Sequence, residues 1–112
     1  MNIFEYFETK FASILTRLAE QSVLPRDLDA SRVVFELPRD VSHGDLATNA
    51  AMILSKPAQK SPRDLAAILV AEFAKIDGVV GVDIAGPGFI NLRVTPILWA
   101  QQITDIFDSG LN

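Results

Sequence analysis

The sequence contains 112 residues, of which 49% are hydrophobic and 21% are charged. This length and composition are typical of one folded domain and exclude an intrinsically disordered chain. The chain has no apolar stretch near the roughly 18 residues that a membrane span requires, and no basic region ahead of an apolar run as in a secretory signal. Because cysteine is absent, disulfides and thiolate chemistry are excluded, and we expect a cytoplasmic protein without a membrane partner.

The charge is acidic overall but unevenly distributed. The 14 acidic residues outnumber the 10 basic ones and give a net charge of −4, which is not typical of proteins that bind nucleic acid mainly through bulk charge. Residues 32–63, however, contain more basic than acidic side chains. This segment is either an ordinary surface or a weakly basic patch within an acidic frame.

The N-terminal segment predicts an amphipathic helix followed by a short strand. Apolar residues recur at steps of three and four along one stripe, and Pro25 lies beyond the end of this helix. Residues 33–37 are β-branched and aromatic and are followed by Pro38, which predicts a strand. The stripe of the helix consists of Ile3, Phe4, Phe7, Phe11, Ile14, Leu15 and Leu18.

A polar loop and an alanine-rich helix are predicted next. The loop covers residues 39–45, and the carboxylate of Asp45 can accept from the exposed amides of a helix over residues 46–56. Small side chains in this helix allow a neighbouring element to approach closely, and Pro57 ends it.

The third predicted helix has a clear start. Ser61 is a good N-cap, Pro62 suits the first helical position, and Asp64 approximates a capping box. Gly78 ends the segment. The buried stripe of this helix consists of Leu65, Ile68, Leu69, Phe73 and Ile76.

A β-hairpin and a last helix complete the chain. Residues 79–85 and 89–94 have the composition of strands, and the Gly86-Pro87-Gly88 turn offers the positive φ angles that a tight connection needs. Thr95-Pro96 begins a helix over residues 97–107. Its apolar residues are Trp99, Ile103, Ile106 and Phe107.

These elements predict a single α+β domain over residues 1–112, in the order helix, strand, helix, helix, strand, strand, helix. Helices on one face of a small, mainly antiparallel sheet would form two layers around one core.

The sequence offers little that could catalyse a reaction. Ser42, His43 and Asp45 have the residue types of a nucleophile, a base and an orienting carboxylate, but such close neighbours rarely converge in the line of hydrogen bonds that a triad needs. A polar loop ahead of a helix explains them. No helix directly follows the glycine-rich turn to hold a phosphate. We therefore predict no catalytic residue, no metal site and no cofactor in this chain.

The second strand of the hairpin is the most informative segment for function. Alternation puts Ile90, Leu92 and Val94 on the face that the helices cover, so Phe89, Asn91 and Arg93 face outward or into a groove. An aromatic ring, an amide and a guanidinium in a row suit single-stranded RNA, because they can stack on a base, pair with a base edge and contact phosphate. The same Phe could instead be covered by a strand or a partner domain.

Two segments resemble the signatures of the N-terminal additional domain of bacterial-type arginyl-tRNA synthetases. They are residues 43–49 (His-Gly-Asp-Leu-Ala-Thr-Asn) and residues 85–93 (Ala-Gly-Pro-Gly-Phe-Ile-Asn-Leu-Arg). The spacing between them and the other predicted helices are similar as well, so the resemblance covers essentially the whole chain. Leu46 departs from the tyrosine that is common in the first signature.

The resemblance implies a domain that packs against the outer corner of arginine tRNA and reads its D-loop. The family's reading residues match Phe89 and Asn91, and the turn that presents them matches Gly86 and Gly88. The first signature is implied to organise the loop and helix through Gly44, Asp45 and Asn49.

The resemblance also implies where the rest of the chemistry lies. ATP, magnesium and arginine would bind a catalytic domain that these 112 residues do not contain, so the chain alone would be inactive. Its partners would be arginine tRNA and the remaining domains of the same synthetase, but neither DNA nor a membrane.

Two alternatives stay open at this point. The acidic charge and apolar content also suit a protein-interaction domain whose hairpin face docks a partner or the rest of its own chain. A small stand-alone enzyme is a third hypothesis, against which the single histidine and the lack of cysteine argue.

Overall fold

The structure is a computed structural model that describes residues 2–38, 44–98 and 100. Its helices and one antiparallel sheet form an α+β domain, which confirms the predicted class. Their bounds are α1 Ile3–Glu20, β1 Phe35–Glu36, β2 Leu46–Thr48, α2 Ala50–Leu54, α3 Pro62–Phe73, β3 Val79–Ala85 and β4 Phe89–Val94.

Within the described residues, the strands form one antiparallel sheet in the order β1-β2-β4-β3. β4 lies in the interior of the sheet, where it pairs with β2 through Leu46 and Leu92 and with β3 through Val82 and Leu92. Leu46, Ile90 and Leu92 are fully buried beneath the helices, so the core lies between the helical layer and this face of the sheet.

Helix α1 is built as its periodicity predicts. Asn2 caps it by accepting a hydrogen bond of 2.9 Å from the Glu5 backbone N–H. Five residues of its stripe are buried, while Phe4 and Leu15 are half-buried. Phe7 and Phe11 contact Phe35 of β1 at ring-centroid distances of 6.1 and 5.8 Å. Aromatic contacts at these separations stabilise a core beyond the area that they bury.

A charged contact joins α1 to α3. Glu72 is buried on α3 and pairs with Arg17 of α1, and Lys75 lies 3.6 Å from its other carboxylate oxygen. Phe73, the next residue, stacks on Phe11 with centroids 5.9 Å apart. A buried carboxylate needs such partners, because its desolvation is costly without them.

The prediction of a helix from residue 46 is wrong. Leu46–Thr48 forms strand β2, and helix α2 is confined to Ala50–Leu54. Alanine favours a helix locally, but this segment fills the place between β1 and β4 and buries Leu46 and Thr48 on the inner face. The pairing of β2 on both edges therefore outweighs its helix propensity, and the predicted order lacks one strand.

The capping role predicted for Asp45 is wrong for the same reason. No helix begins at residue 46, and α2 begins after Asn49, whose side chain makes no capping bond. Instead, the hydroxyl of Thr48 accepts a hydrogen bond of 3.2 Å from the Ala50 N–H. The polar loop over residues 39–43 lies outside the described residues.

The later elements follow the prediction more closely. The hydroxyl of Ser61 accepts a hydrogen bond of 3.1 Å from the Asp64 N–H at the start of α3, which confirms the predicted cap. The two hairpin strands have the predicted bounds, whereas the predicted strand at 33–37 is confined to Phe35–Glu36. The hydroxyl of Thr95 accepts a hydrogen bond of 3.1 Å from the Leu98 N–H, where a last helical turn begins.

Most of the predicted last helix lies outside the described residues, including Trp99, Ile103, Ile106 and Phe107. Among the residues that are described, we find no helix with the length and apolar character needed to cross a bilayer.

Candidate nucleic-acid interface

The face of the sheet opposite the helices carries the side chains singled out from the sequence. Pairing across an antiparallel sheet puts directly opposed residues on the same side. Residues Phe89, Asn91 and Arg93 of β4 therefore share the outward face. Their cross-strand partners on that face are Ala47, Gly81, Asp83 and Ala85, and Glu36 of β1 lies on the same face opposite Ala47.

Phe89 is the exposed aromatic side chain of this face. It opens β4 directly after the hairpin turn, opposite Ala85, and 39% of it is exposed. Ala85 is too small to cover the ring from the neighbouring strand. A ring in this position can accept a flat apolar ligand such as a nucleobase.

Asn91 lies on the same face but is largely covered. Its exposed fraction is 7%, and it lies in the interior of the sheet, opposite Ala47 on one neighbouring strand and Asp83 on the other. Within the part of the chain that the structure describes, the Asn91 side-chain amide makes no hydrogen bond. Burial of an amide without a partner costs about 1–3 kcal/mol, so a hydrogen bond from a ligand to this amide would be favourable.

Arg93 extends the row along the strand. Its stem lies over Gly81, where a built Cβ would be 3.5–3.8 Å from the Arg93 Cβ, Cγ and Cδ atoms. The register shifts between Val79 and Gly81, which leaves the exposed Val80 as the extra residue of a β-bulge. Arg93 itself is exposed and has an interaction within the chain.

The turn that precedes Phe89 is closely packed on one side. Gly88 has a φ of +150°, and a Cβ there would lie 3.0 Å from the Pro62 Cβ and 3.3 Å from the Met52 Cγ. Gly86 has a φ of +57°, and its carbonyl oxygen accepts a hydrogen bond of 3.2 Å from Arg63 Nη2. Helices α2 and α3 therefore fix the start of β4.

The residues of the first signature contact the hairpin strand from the other side. Gly44 has a φ of +136°, and a Cβ built on it would lie 2.8 Å from the Leu92 carbonyl oxygen. The Asp45 N–H donates to that oxygen at 2.8 Å, and Asp45 Oδ2 accepts from the Val94 N–H at 2.8 Å. Asp45 thus continues the pairing of β2 with β4 beyond the strand itself.

Asn49 holds a different segment. Its Oδ1 accepts from the Val34 N–H at 2.9 Å, and its Nδ2 donates to the Arg32 carbonyl oxygen at 3.3 Å. This side chain therefore ties the end of β2 to the chain that enters β1. Ser42 and His43, which the sequence offered as members of a triad, lie outside the described residues.

Sequence reasoning missed two of these contacts. The bond from Arg63 to Gly86 and the bond from Asp45 to Val94 join residues that are 23 and 49 positions apart. Neither has a local pattern, because both arise only when the hairpin packs against other elements. Knowledge of the sheet order would have been needed to find them.

The charges of the outward face are mixed. Arg93 lies there with Glu36 and Asp83, while Arg63 adds a positive charge at the tip of the hairpin. Shifted pKa values occur elsewhere in the described chain. Burial and the Asp77 carboxylate raise the pKa of Tyr6, and hydrogen bonds from Ser31 lower the pKa of Asp29.

We expect Asp45→Ala to destabilise the chain by about 1–3 kcal/mol, because it leaves the partly buried Val94 N–H without an acceptor. Asp45→Asn, which retains a side-chain oxygen, should cost less. Urea denaturation of the two variants measures the difference. An Asp45→Ala chain as stable as the parent would show that this bond contributes nothing.

Comparison with known proteins agrees with the two signatures. The family model described as "Arginyl tRNA synthetase N terminal domain" matches residues 5–94. A protein named arginine–tRNA ligase from Parvibaculum lavamentivorans is 52% identical over 98% of this chain, and one from Methylorubrum extorquens is 46% identical over the whole chain. A third of the same name, from Nitrobacter winogradskyi, is 48% identical over 89% of the chain. The chain spans about a fifth of the length of these relatives.

Proposed function

The chain belongs to the arginyl-tRNA synthetase N-terminal domain family, and we propose on this premise that it is the tRNA-recognition domain of an arginine–tRNA ligase. In this proposal the outward face of β4 contacts the D-loop at the outer corner of arginine tRNA. The parent enzyme joins arginine to its tRNA at the expense of ATP.

The burial of Asn91 is the main support for this proposal. Asn91 is buried without a hydrogen-bond partner in the described chain, and it lies next to the exposed ring of Phe89. An aromatic surface beside an unsatisfied amide suits a nucleobase, which offers a flat face and a hydrogen-bonding edge together. Because most buried side-chain amides in folded proteins are hydrogen-bonded, an amide without a partner supports a role in binding a ligand.

Each side chain has a distinct part in recognition. A base that is turned out of its loop stacks on Phe89, the Asn91 amide pairs with the base edge, and Arg93 contacts phosphate. The hydrogen bond from Arg63 to Gly86 and the packing of Gly88 against Pro62 and Met52 fix this arrangement before tRNA arrives. A site that is already ordered loses less entropy on binding.

Substrate chemistry belongs to other domains in this proposal. Arginine, ATP and magnesium bind the catalytic domain of the ligase, and this domain adds a contact far from the reacting atoms. The other domains of the same polypeptide are its further partners.

The test is steady-state arginylation by a full-length ligase that carries this domain. Wild-type tRNA and tRNAs with single D-loop base changes are compared for the parent enzyme and for variants of the outward face. Loss of discrimination among D-loop bases supports the proposal, whereas unchanged discrimination in every such variant rejects it.

We expect the purified 112-residue chain to catalyse no arginine-dependent exchange of pyrophosphate into ATP. The physical reason is that the domain recognises tRNA and has no part in binding the reactants of that exchange. The full-length ligase is the positive control in the same assay. Exchange by the isolated chain at a rate near that of the ligase would put the chemistry in this domain.

A second candidate function is a protein-docking face. Glu36 and Asp83 lie on the outward face, and their carboxylates would repel phosphate groups. A protein or another part of the same polypeptide would then cover Phe89. This alternative predicts that variants of the face alter binding of that partner and leave recognition of tRNA unchanged.

A further inference from the structure

The tip of the hairpin is held by a cation that the sequence signatures do not include. Arg63 is the second residue of α3, and its Nη2 donates to the Gly86 carbonyl oxygen at 3.2 Å. On the other side of the turn, Gly88 packs against Pro62. The Arg63 guanidinium is therefore kept beside the turn from which Phe89 begins β4.

The same guanidinium keeps donors for a ligand. A guanidinium has five N–H donors in a planar fork. In the described chain, the hydrogen bond to Gly86 uses one of them. Arg63 is exposed, and a Cβ built on Gly86 would meet no atom within 4 Å. The space over the turn is thus open, and an anion that enters it meets a cation already in position.

The positions of the two arginines suit a nucleotide chain. Arg63 lies at the turn on one side of Phe89, and Arg93 lies four residues along the strand on the other side. A nucleotide whose base stacks on the ring has one phosphate before it and one after it. Lys60 precedes Arg63 by three residues in the sequence and Asp64 follows it directly, so this short segment carries two cations and one anion.

We propose that Arg63 contacts an RNA phosphate on the turn side of Phe89 and, through its bond to Gly86, positions the turn that presents the ring. This inference rests on the proposed function, because the phosphate belongs to the tRNA that the outward face recognises. It adds to the signature residues a contact that depends on charge and is independent of base identity.

The experiment measures tRNA affinity against salt concentration for a full-length ligase that carries this domain. Arg63→Ala should weaken binding about tenfold, as expected for loss of a charged hydrogen bond. The slope of log K against log salt should flatten by about 0.7–0.9, which corresponds to one phosphate contact. Arg63→Lys keeps the charge and should retain most of the parental slope. Arg26→Ala, on the loop after α1, is the control for loss of an exposed charge.

The outcomes separate this inference from the proposed function. If Arg63→Ala keeps the parental slope while Phe89→Ala weakens tRNA binding, the inference is wrong and the proposed function stands. If Phe89→Ala and Asn91→Ala both leave tRNA recognition unchanged, the proposed function fails and the inference fails with it. A slope that flattens equally in Arg26→Ala also overturns the inference, because the effect would then belong to overall charge.

Discussion

Phe89→Ala should lower kcat/KM for arginylation by about ten- to a hundredfold in a full-length ligase that carries this domain. Loss of a base–aromatic stack costs about 1–3 kcal/mol, which corresponds to this range. The ring is partly exposed and faces away from the core, so its removal should leave the melting temperature close to that of the parent. The KM values for arginine and ATP should be unchanged, because the proposed function puts their binding in another domain of the ligase.

Two further variants make the Phe89 result specific. Phe89→Trp retains a stacking surface and should keep most of the parental activity. Ile97→Ala removes another exposed apolar side chain, one that follows the hairpin, and should have little effect. A Phe89→Ala enzyme that folds normally and charges wild-type tRNA as the parent does would exclude stacking on this ring and favour the protein-docking alternative.

The parts of the fold that could be predicted are those with local causes. The stripe of α1 repeats over five turns, and the cap at Ser61 acts within three residues. The hairpin strands are joined by a turn whose glycines both have positive φ angles. In each case the residues that determine the structure are close in sequence, so a pattern can reveal them.

The parts that could not be predicted depend on distant partners. Strand β2 contains the residues Leu46, Ala47 and Thr48, which is too short for alternation to distinguish it from a helix. Its pairing with β1 and β4 determines its conformation, and that pairing depends on the whole sheet. Once β2 is a strand, Asp45 is beside the end of β4 rather than at the end of a helix.

The candidate site also has features that the sequence predicts and features that only the structure shows. Alternation along β4 gives the outward direction of Phe89, Asn91 and Arg93 from the sequence alone. Alternation does not give the burial of Asn91, whose exposed fraction is 7% between two paired strands. The observation that carries the functional proposal is therefore available only from the structure.

Asn91→Ala should remove discrimination among D-loop bases rather than activity in general. A bidentate pair between an amide and a base edge contributes about 1–3 kcal/mol of discrimination, so kcat/KM for wild-type tRNA should fall about ten- to a hundredfold. A tRNA with a substituted D-loop base, which cannot form that pair with the parent enzyme, should be charged about equally by parent and variant. The measurement is the ratio of kcat/KM for wild-type tRNA to kcat/KM for the substituted tRNA, compared between parent and variant.

The free energy of unfolding of Asn91→Ala provides a second test of the role of this amide. Asn49→Ala is the matched control. The Asn49 amide is bonded to Val34 and Arg32, so its loss should destabilise the chain by about 1 kcal/mol or more and leave discrimination unchanged. The Asn91 amide has no partner in the described chain, so Asn91→Ala should cost no stability and could increase it. If Asn91→Ala instead unfolds more easily than the parent and still discriminates between the two tRNAs, the amide is a structural group and does not read the base.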